Sequence, residues 1–156
     1  IGATNWSEPT PEELRCQAYI GLVHGAKGFI WYAFWTSEFW PGNIKGRNMW
    51  YLPETPLWDY FPKLNAEIAD MSDIYLMGKS LGAVSCSSKT VHTNLWKYKG
   101  KTYVIAVNTI KSPTDCELGG FGKKPANVKF ESREVTPSNG KINEHFKPLE
   151  AHVYEY

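Results

Sequence analysis

"GFIWYAFWTSEFW", residues 28–40, sets seven aromatic side chains into thirteen positions, and its uninterrupted apolar run is residues 29–35. A membrane-spanning helix needs about 20 consecutive apolar residues, so this run is not one, and no membrane partner is expected. A run of this length without alternation reads instead as a strand covered on both faces, the pattern of parallel sheets in βα units. The preceding stretch agrees. "TPEELRCQAYIGLVHGAKG", residues 10–28, starts a helix with Thr10 as N-cap, Pro11 at the first helical position and Glu13 closing a capping box. Leu14, Cys16, Ala18, Tyr19, Ile20, Leu22 and Val23 give this helix a broad apolar face, and Gly25 ends it. A strand from Phe29 then follows a short connection. Its earlier partner strand would lie at or upstream of residue 1.

A long loop rich in Pro, Gly and Asn covers roughly 36–55. A second helix is predicted over about 57–76, because Leu57, Phe61, Leu64, Ile68, Met71 and Tyr75 recur at alternating spacings of four and three. Gly78 stops it, and Pro62 predicts a kink or a true start near that point. From residue 81 the pattern changes to short β segments. "HTNLWKYKGKTYVIAVN", residues 92–108, reads as a hairpin turning near Lys99-Gly100. "ANVKFES", "REVTPSNGKI" and "EAHVYEY" continue an antiparallel sheet or small sandwich. The predicted fold class is therefore α+β, with a helix-strand-loop-helix segment in residues 1–78 and an antiparallel β-sandwich in residues 81–156.

Composition narrows the function. A formal net charge of +1 with interspersed signs gives no basic surface for nucleic acid. The aromatic fraction of 15%, with seven Trp, implies either a large aromatic core or a surface that stacks on flat ligand faces. Cys16, Cys86 and Cys116 make an odd count without metal-ligand spacing, so no metal and no cofactor are expected. Their small apolar neighbours read as those of buried free thiols, with a Cys86–Cys116 pair as the alternative in an oxidising compartment. The chain opens at Ile1 without Met or signal peptide and reads as a processed or excised segment, so its N-terminus does not indicate a compartment.

The order "PTPEELRCQAYIGLVHGAKGFIWYAFW", "LWDYFPKLNAEIADM" and "FKPLEAHVYEY" resembles the C-terminal portion of (β/α)8-barrel glycoside hydrolases. That resemblance implies that residues 11–24 are the seventh barrel helix, 29–35 the eighth strand, about 57–76 the last helix, and 81–156 the accessory β-sandwich. It covers nearly the whole chain but only part of such an enzyme, and it favours a secreted or periplasmic location. It further implies an oligo- or polysaccharide partner. Glycosidases use two carboxylates flanking one bond, about 5 Å apart when configuration is retained and wider when it is inverted. Barrel enzymes of this type carry theirs on strands four and seven. Strands one to six have no counterpart here, and no Glu or Asp precedes Glu8. An isolated chain is expected to be inactive, with no catalytic residue of its own.

Barrel substrate sites lie at the C-terminal ends of strands and in the loops beyond them. The resemblance places Trp35, Glu38 and Trp40 there for the eighth strand, and Trp6 for the seventh. Indole faces would stack on sugar rings, and Glu38 would accept hydrogen bonds from hydroxyls in preference to acting in catalysis. Trp50 and Tyr51 in the long loop would extend the platform. His24 falls on the opposite, stabilising face, where contact with the helix C-terminal carbonyls is expected. Seven aromatics left uncovered would expose on the order of 1,000 Å², more than soluble monomers usually tolerate, so the aromatic strand also predicts self-association. The alternative reading is a stand-alone carbohydrate-binding or structural interaction module. Trp96 and Tyr98, on one face of a strand, would be its platform unless they turn into the sandwich core.

Overall fold

The structure, a computed structural model, describes residues 9–31 and 56–156. Its elements in chain order are α1 (Pro11–Val23), α2 (Pro56–Asp70), α3 (Ser72–Met77), β1 (Lys79–Gly82), β2 (Val91–Tyr98), β3 (Lys101–Asn108), β4 (Thr114–Leu118), β5 (Ala126–Val128), β6 (Arg133–Val135), β7 (Ile142–Phe146) and β8 (Ala151–Glu155). The class is α+β with antiparallel strand pairing throughout, as the two-part reading of the sequence required.

Three layers follow from which residues each strand can bury. β3 reads "KTYVIAVN" and is buried continuously from Tyr103 to Asn108. A strand buried on both faces must have a layer on each side. On one side Tyr103, Ile105 and Val107, with Trp96, Ala151 and Val153, share a core with Leu14, Tyr19 and Leu22 of α1, Leu64 and Ile68 of α2, and Tyr75 of α3. On the other side Val104, Ala106, Val128 and Tyr154 meet Cys116 and Leu118 of β4 and Ile142 and Phe146 of β7. The six-stranded sheet, in order β1-β2-β3-β8-β5-β6, is thus the middle layer, with the helices on one face and the β4-β7 pair on the other. β8, the last strand of the chain, lies between β3 and β5, where both of its faces are covered.

Local chemistry accounts for the element ends. Thr10 Oγ1 accepts from Glu13 N–H at 3.2 Å and Glu13 Oε2 accepts from Thr10 N–H at 2.9 Å, so the capping box forms as its spacing predicts. The β2–β3 hairpin turns on Lys99 (φ 47°) and Gly100 (φ 80°), the two left-handed residues that a tight hairpin matching strand twist requires. Pro62 lies inside α2 without ending it; the break falls instead at Met71, and Gly78 caps α3.

Two expectations change. Residues 29–31 form no strand, and no strand among the described residues pairs with them. Phe29 and Trp31 turn toward the helices, while Ile30 is 97% exposed. Coverage of these three residues is therefore one-sided; residues 32–35 of the predicted strand lie outside the described residues. Trp96 is 1% exposed and faces the helical layer, not the interior between the two sheets, because the helices supply the larger apolar surface over β2. It cannot serve as an exposed sugar platform.

Candidate functional site

Trp6, Trp35, Glu38, Trp40, Trp50 and Tyr51 lie outside the described residues. What the structure does place is the approach to the aromatic stretch. At the end of α1, Asn94 of β2 donates from Nδ2 to the Val23 carbonyl at 2.7 Å and accepts from Ser80 Oγ at 3.0 Å. The last carbonyls of a helix lack partners within it, and a buried side-chain amide satisfies one of them here. His24 keeps its backbone N–H on the Ile20 carbonyl, but its ring goes elsewhere, with Nε2 lying 2.9 Å from Nδ1 of His92. The expected contact between the imidazole and the helix carbonyls is thus replaced by a His–His hydrogen bond to β2.

Beyond that cap, the Lys27 ammonium donates to the Tyr75 carbonyl at the end of α3 and sits 4.7 Å over the Trp96 ring. Phe29 stacks on Trp31 at 5.6 Å between centroids. The Trp31 indole meets Phe61 edge-on at 5.4 Å and donates from Nε1 to Asn65 Oδ1 at 3.1 Å. Gly21 is needed beneath this arrangement, since a Cβ there would lie 2.9 Å from the Phe29 ring. The start of the aromatic stretch is thereby seated on α1, α2 and α3, which are themselves seated on the sandwich.

Sequence reasoning missed two partly buried polar clusters. In the first, Arg15 of α1 donates to Glu67 of α2 from Nε at 3.1 Å and from Nη2 at 2.5 Å, and to the Ala151 carbonyl of β8 from Nη1 at 2.8 Å. Tyr19 donates its hydroxyl to the same carboxylate at 2.5 Å, and the guanidinium lies 4.5 Å over the Tyr19 ring. Burial pushes the Tyr19 phenol well above its ordinary range, so it stays protonated and donates. The available signal was Arg15 and Tyr19 spaced four apart on the inward side of α1, a charge among apolar neighbours.

In the second cluster, Glu131 hydrogen-bonds His152 Nδ1 with one oxygen and accepts from Arg133 Nε at 2.8 Å with the other. Arg133 also donates both terminal nitrogens to Glu144 Oε2 at 3.1 Å, and Tyr154 donates to that oxygen at 2.9 Å. Burial alone would raise the Glu131 carboxyl, but the bonds from His152 and Arg133 outweigh it and hold the carboxyl below its usual value. These carboxylates cross-link β5–β6, β7 and β8.

A shallow cleft of about 590 Å³ opens near the β6–β7 turn, lined by Thr136, Ser138, Asn139 and Asn143 and closed on one side by the Lys141–Glu117 ion pair at 2.7 Å. It presents hydroxyls and amides but no aromatic face. Among the described residues no cluster of His, Cys, Asp and Glu is arranged to hold a metal ion. No helix among them is long and apolar enough to cross a membrane.

The sequence matches no family profile and no curated protein. Solved structures do match. A maltogenic α-amylase, AmyB, from Thermotoga neapolitana aligns over 69% of this chain and 28% of its own at a TM-score of 0.50 and 16% identity. AmyP in complex with maltotriose aligns over 63% of this chain and 20% of its own at 0.53 and 12% identity. The α-amylase from Geobacillus thermoleovorans complexed with acarbose aligns over 64% and 22% at 0.52 and 16% identity. This chain thus spans between about a fifth and three-tenths of the length of these enzymes. The likeness is one of fold, and at that level it bears out the resemblance to the C-terminal portion of a (β/α)8-barrel glycoside hydrolase.

Proposed function

We propose that this chain is the C-terminal region of a glycoside hydrolase acting on α-glucans, in which residues 1–78 close a barrel and residues 81–156 brace it. Trp35, Glu38, Trp40, Trp6, Trp50 and Tyr51 supply an aromatic wall for the sugar, and the catalytic carboxylates come from strands this chain does not contain. The observation that carries this reading is the seating of residues 27–31. Trp31 packs on Phe61 and hydrogen-bonds Asn65 of α2, and Lys27 ties the segment to the end of α3, which supports a role for residues 27–31 in anchoring the aromatic stretch. Sugar recognition by stacking needs such preorganisation, because ring contacts give area only when side chains are held in place. The α-amylases matched in fold, two of them in complex with maltotriose or acarbose, support a glucan as the substrate class. The exposed Ile30 supports a further surface lying against this stretch, either the rest of a barrel or a second copy of the chain.

The test is made in a protein carrying a complete barrel joined to this chain. Trp35→Ala is expected to weaken maltooligosaccharide binding by about tenfold or more, the loss of one well-packed aromatic contact, while His24→Ala leaves affinity within about twofold. The chain alone is expected to release no phenol from aryl α-glucosides. Equal effects of the two substitutions, or turnover by the chain alone, would overturn the assignment.

A further inference from the structure

The three cysteines are divided by the fold. Cys16 is buried in the core between helices and sheet, where its thiol donates to the Asn108 carbonyl at 3.5 Å. Cys86 and Cys116 lie on the opposite side of the six-stranded sheet, both facing the core that β4 and β7 enclose.

Their relative position follows from register. Cys86 forms an isolated antiparallel bridge opposite Leu118. Ser87 N–H donates to the Glu117 carbonyl at 3.0 Å, and Gly119 N–H donates to the Ser85 carbonyl at 2.8 Å. Those two bonds flank Cys86 and Leu118, which are therefore a non-hydrogen-bonded pair, the closer kind. Along β4, Cys116 and Leu118 both point inward while Glu117 points out. Cys116 is thus the diagonal neighbour of Cys86, two residues before its direct partner. The right-handed twist of an antiparallel pair swings this diagonal together. The Cys86 sulfur also leans that way, accepting from the Ser88 N–H at 3.4 Å, and Ser88 is the residue that the register sets opposite Cys116.

We propose that Cys86 and Cys116 are a dithiol that a small-molecule disulfide oxidises to an intramolecular disulfide, stapling segment 83–88 to β4. Cys86, the more exposed of the two, attacks one sulfur of the small disulfide and expels its partner as a thiol, leaving a mixed disulfide on Cys86. Cys116 then gives up its proton and attacks the Cys86 sulfur, expelling the second small thiol. One disulfide is consumed, one is formed, two small thiols are released, and the electrons balance.

Two further observations fit this order. Burial, followed by the neighbouring Cys86 thiol, pushes the Cys116 thiol up to about 12, which makes Cys116 a poor first nucleophile toward solvent but leaves it in place for the intramolecular step. Cys86 sits in a single bridge between irregular stretches, held beside β4 by the two flanking backbone hydrogen bonds. Disulfide geometry tolerates only a narrow range of Cα separations, and the register keeps Cys86 and Cys116 as diagonal neighbours across this bridge.

The experiment treats the folded, reduced chain with oxidised glutathione, then quenches with acid and maps the peptides. The expected product has lost two hydrogen atoms, links the peptides holding residues 86 and 116, and leaves one alkylatable thiol, Cys16, after denaturation. Its melting temperature rises by several degrees, as expected for a link that closes a loop of some 30 residues. Cys116→Ser keeps the glutathione adduct on Cys86, and Cys16→Ala does not alter the cross-link. A persistent glutathione adduct on the unsubstituted chain, a bond involving Cys16, or three free thiols after treatment would each overturn the proposal.

Discussion

Glu131 shows how one side chain can make part of this fold depend on acid. It stands between His152 and Arg133, and its carboxyl is held below the ordinary 4.5 because those two bonds outweigh the opposing effect of burial. A carboxyl depressed in the folded state contributes stability that is fully present above its unfolded pKa and is lost as pH falls through the folded one. The urea midpoint should therefore hold steady from neutral pH to about 5 and decline below it. Glu131→Gln should shrink that acid decline, because its amide cannot change charge with pH. Identical acid limbs for the two proteins would show that Glu131 does not couple to folding. The cluster was not legible in sequence, since Glu131, Arg133, Glu144 and His152 follow no motif. Only the pairing of β5 with β8 and the placement of β7 under them bring the four together.

At the scale of elements, α1 was the most legible. Its cap, its proline start and its inward residues are set by contacts three or four residues apart, and it runs from Pro11 to Val23 much as its spacing predicts. The hairpin at Lys99-Gly100 was legible for a similar reason, because turn chemistry is local. The bond between elements was not. Glu67 fastens α2 to α1 through Arg15 and Tyr19, and Arg15 carries the connection on to β8. Glu67→Ala would leave a guanidinium in a largely buried site without its carboxylate, at a cost of about 3 kcal/mol. Replacing both partners together, as Arg15→Met with Glu67→Leu, should cost far less, because no unpaired charge remains. Urea denaturation of the three variants separates these outcomes. Equal losses in the single and double variants would show that shape, not charge, is what the pair supplies.

Over the whole molecule, the described surface is incomplete on its helical side. Ile30 is 97% exposed, and Met77 and Leu76 of α3 are 75% and 52% exposed, close in sequence to the fully exposed edge strand β1. A strand edge unpaired among the described residues, beside apolar side chains, invites another chain. The protein on its own is expected to self-associate as its concentration rises. Sedimentation velocity across a concentration series checks it. A sedimentation coefficient that stays monomeric throughout would mean that these residues are covered within one chain.

Several features of this protein are written in its residues alone: the start of α1, the stop at Gly78, the tight turn at Gly100, and the change from helical to β periodicity near residue 80. Each depends on backbone preference, capping or composition, which act over a few neighbouring positions. Others needed the folded chain. Trp96 faced helices because those helices cover β2, β8 entered the middle of the sheet because layers cover both of its faces, and Cys86 came beside Cys116 because of strand register. Burial rewards contacts regardless of how far apart their residues lie along the chain. A pairing such as Arg15 with Ala151 therefore exists only after the layers have assembled.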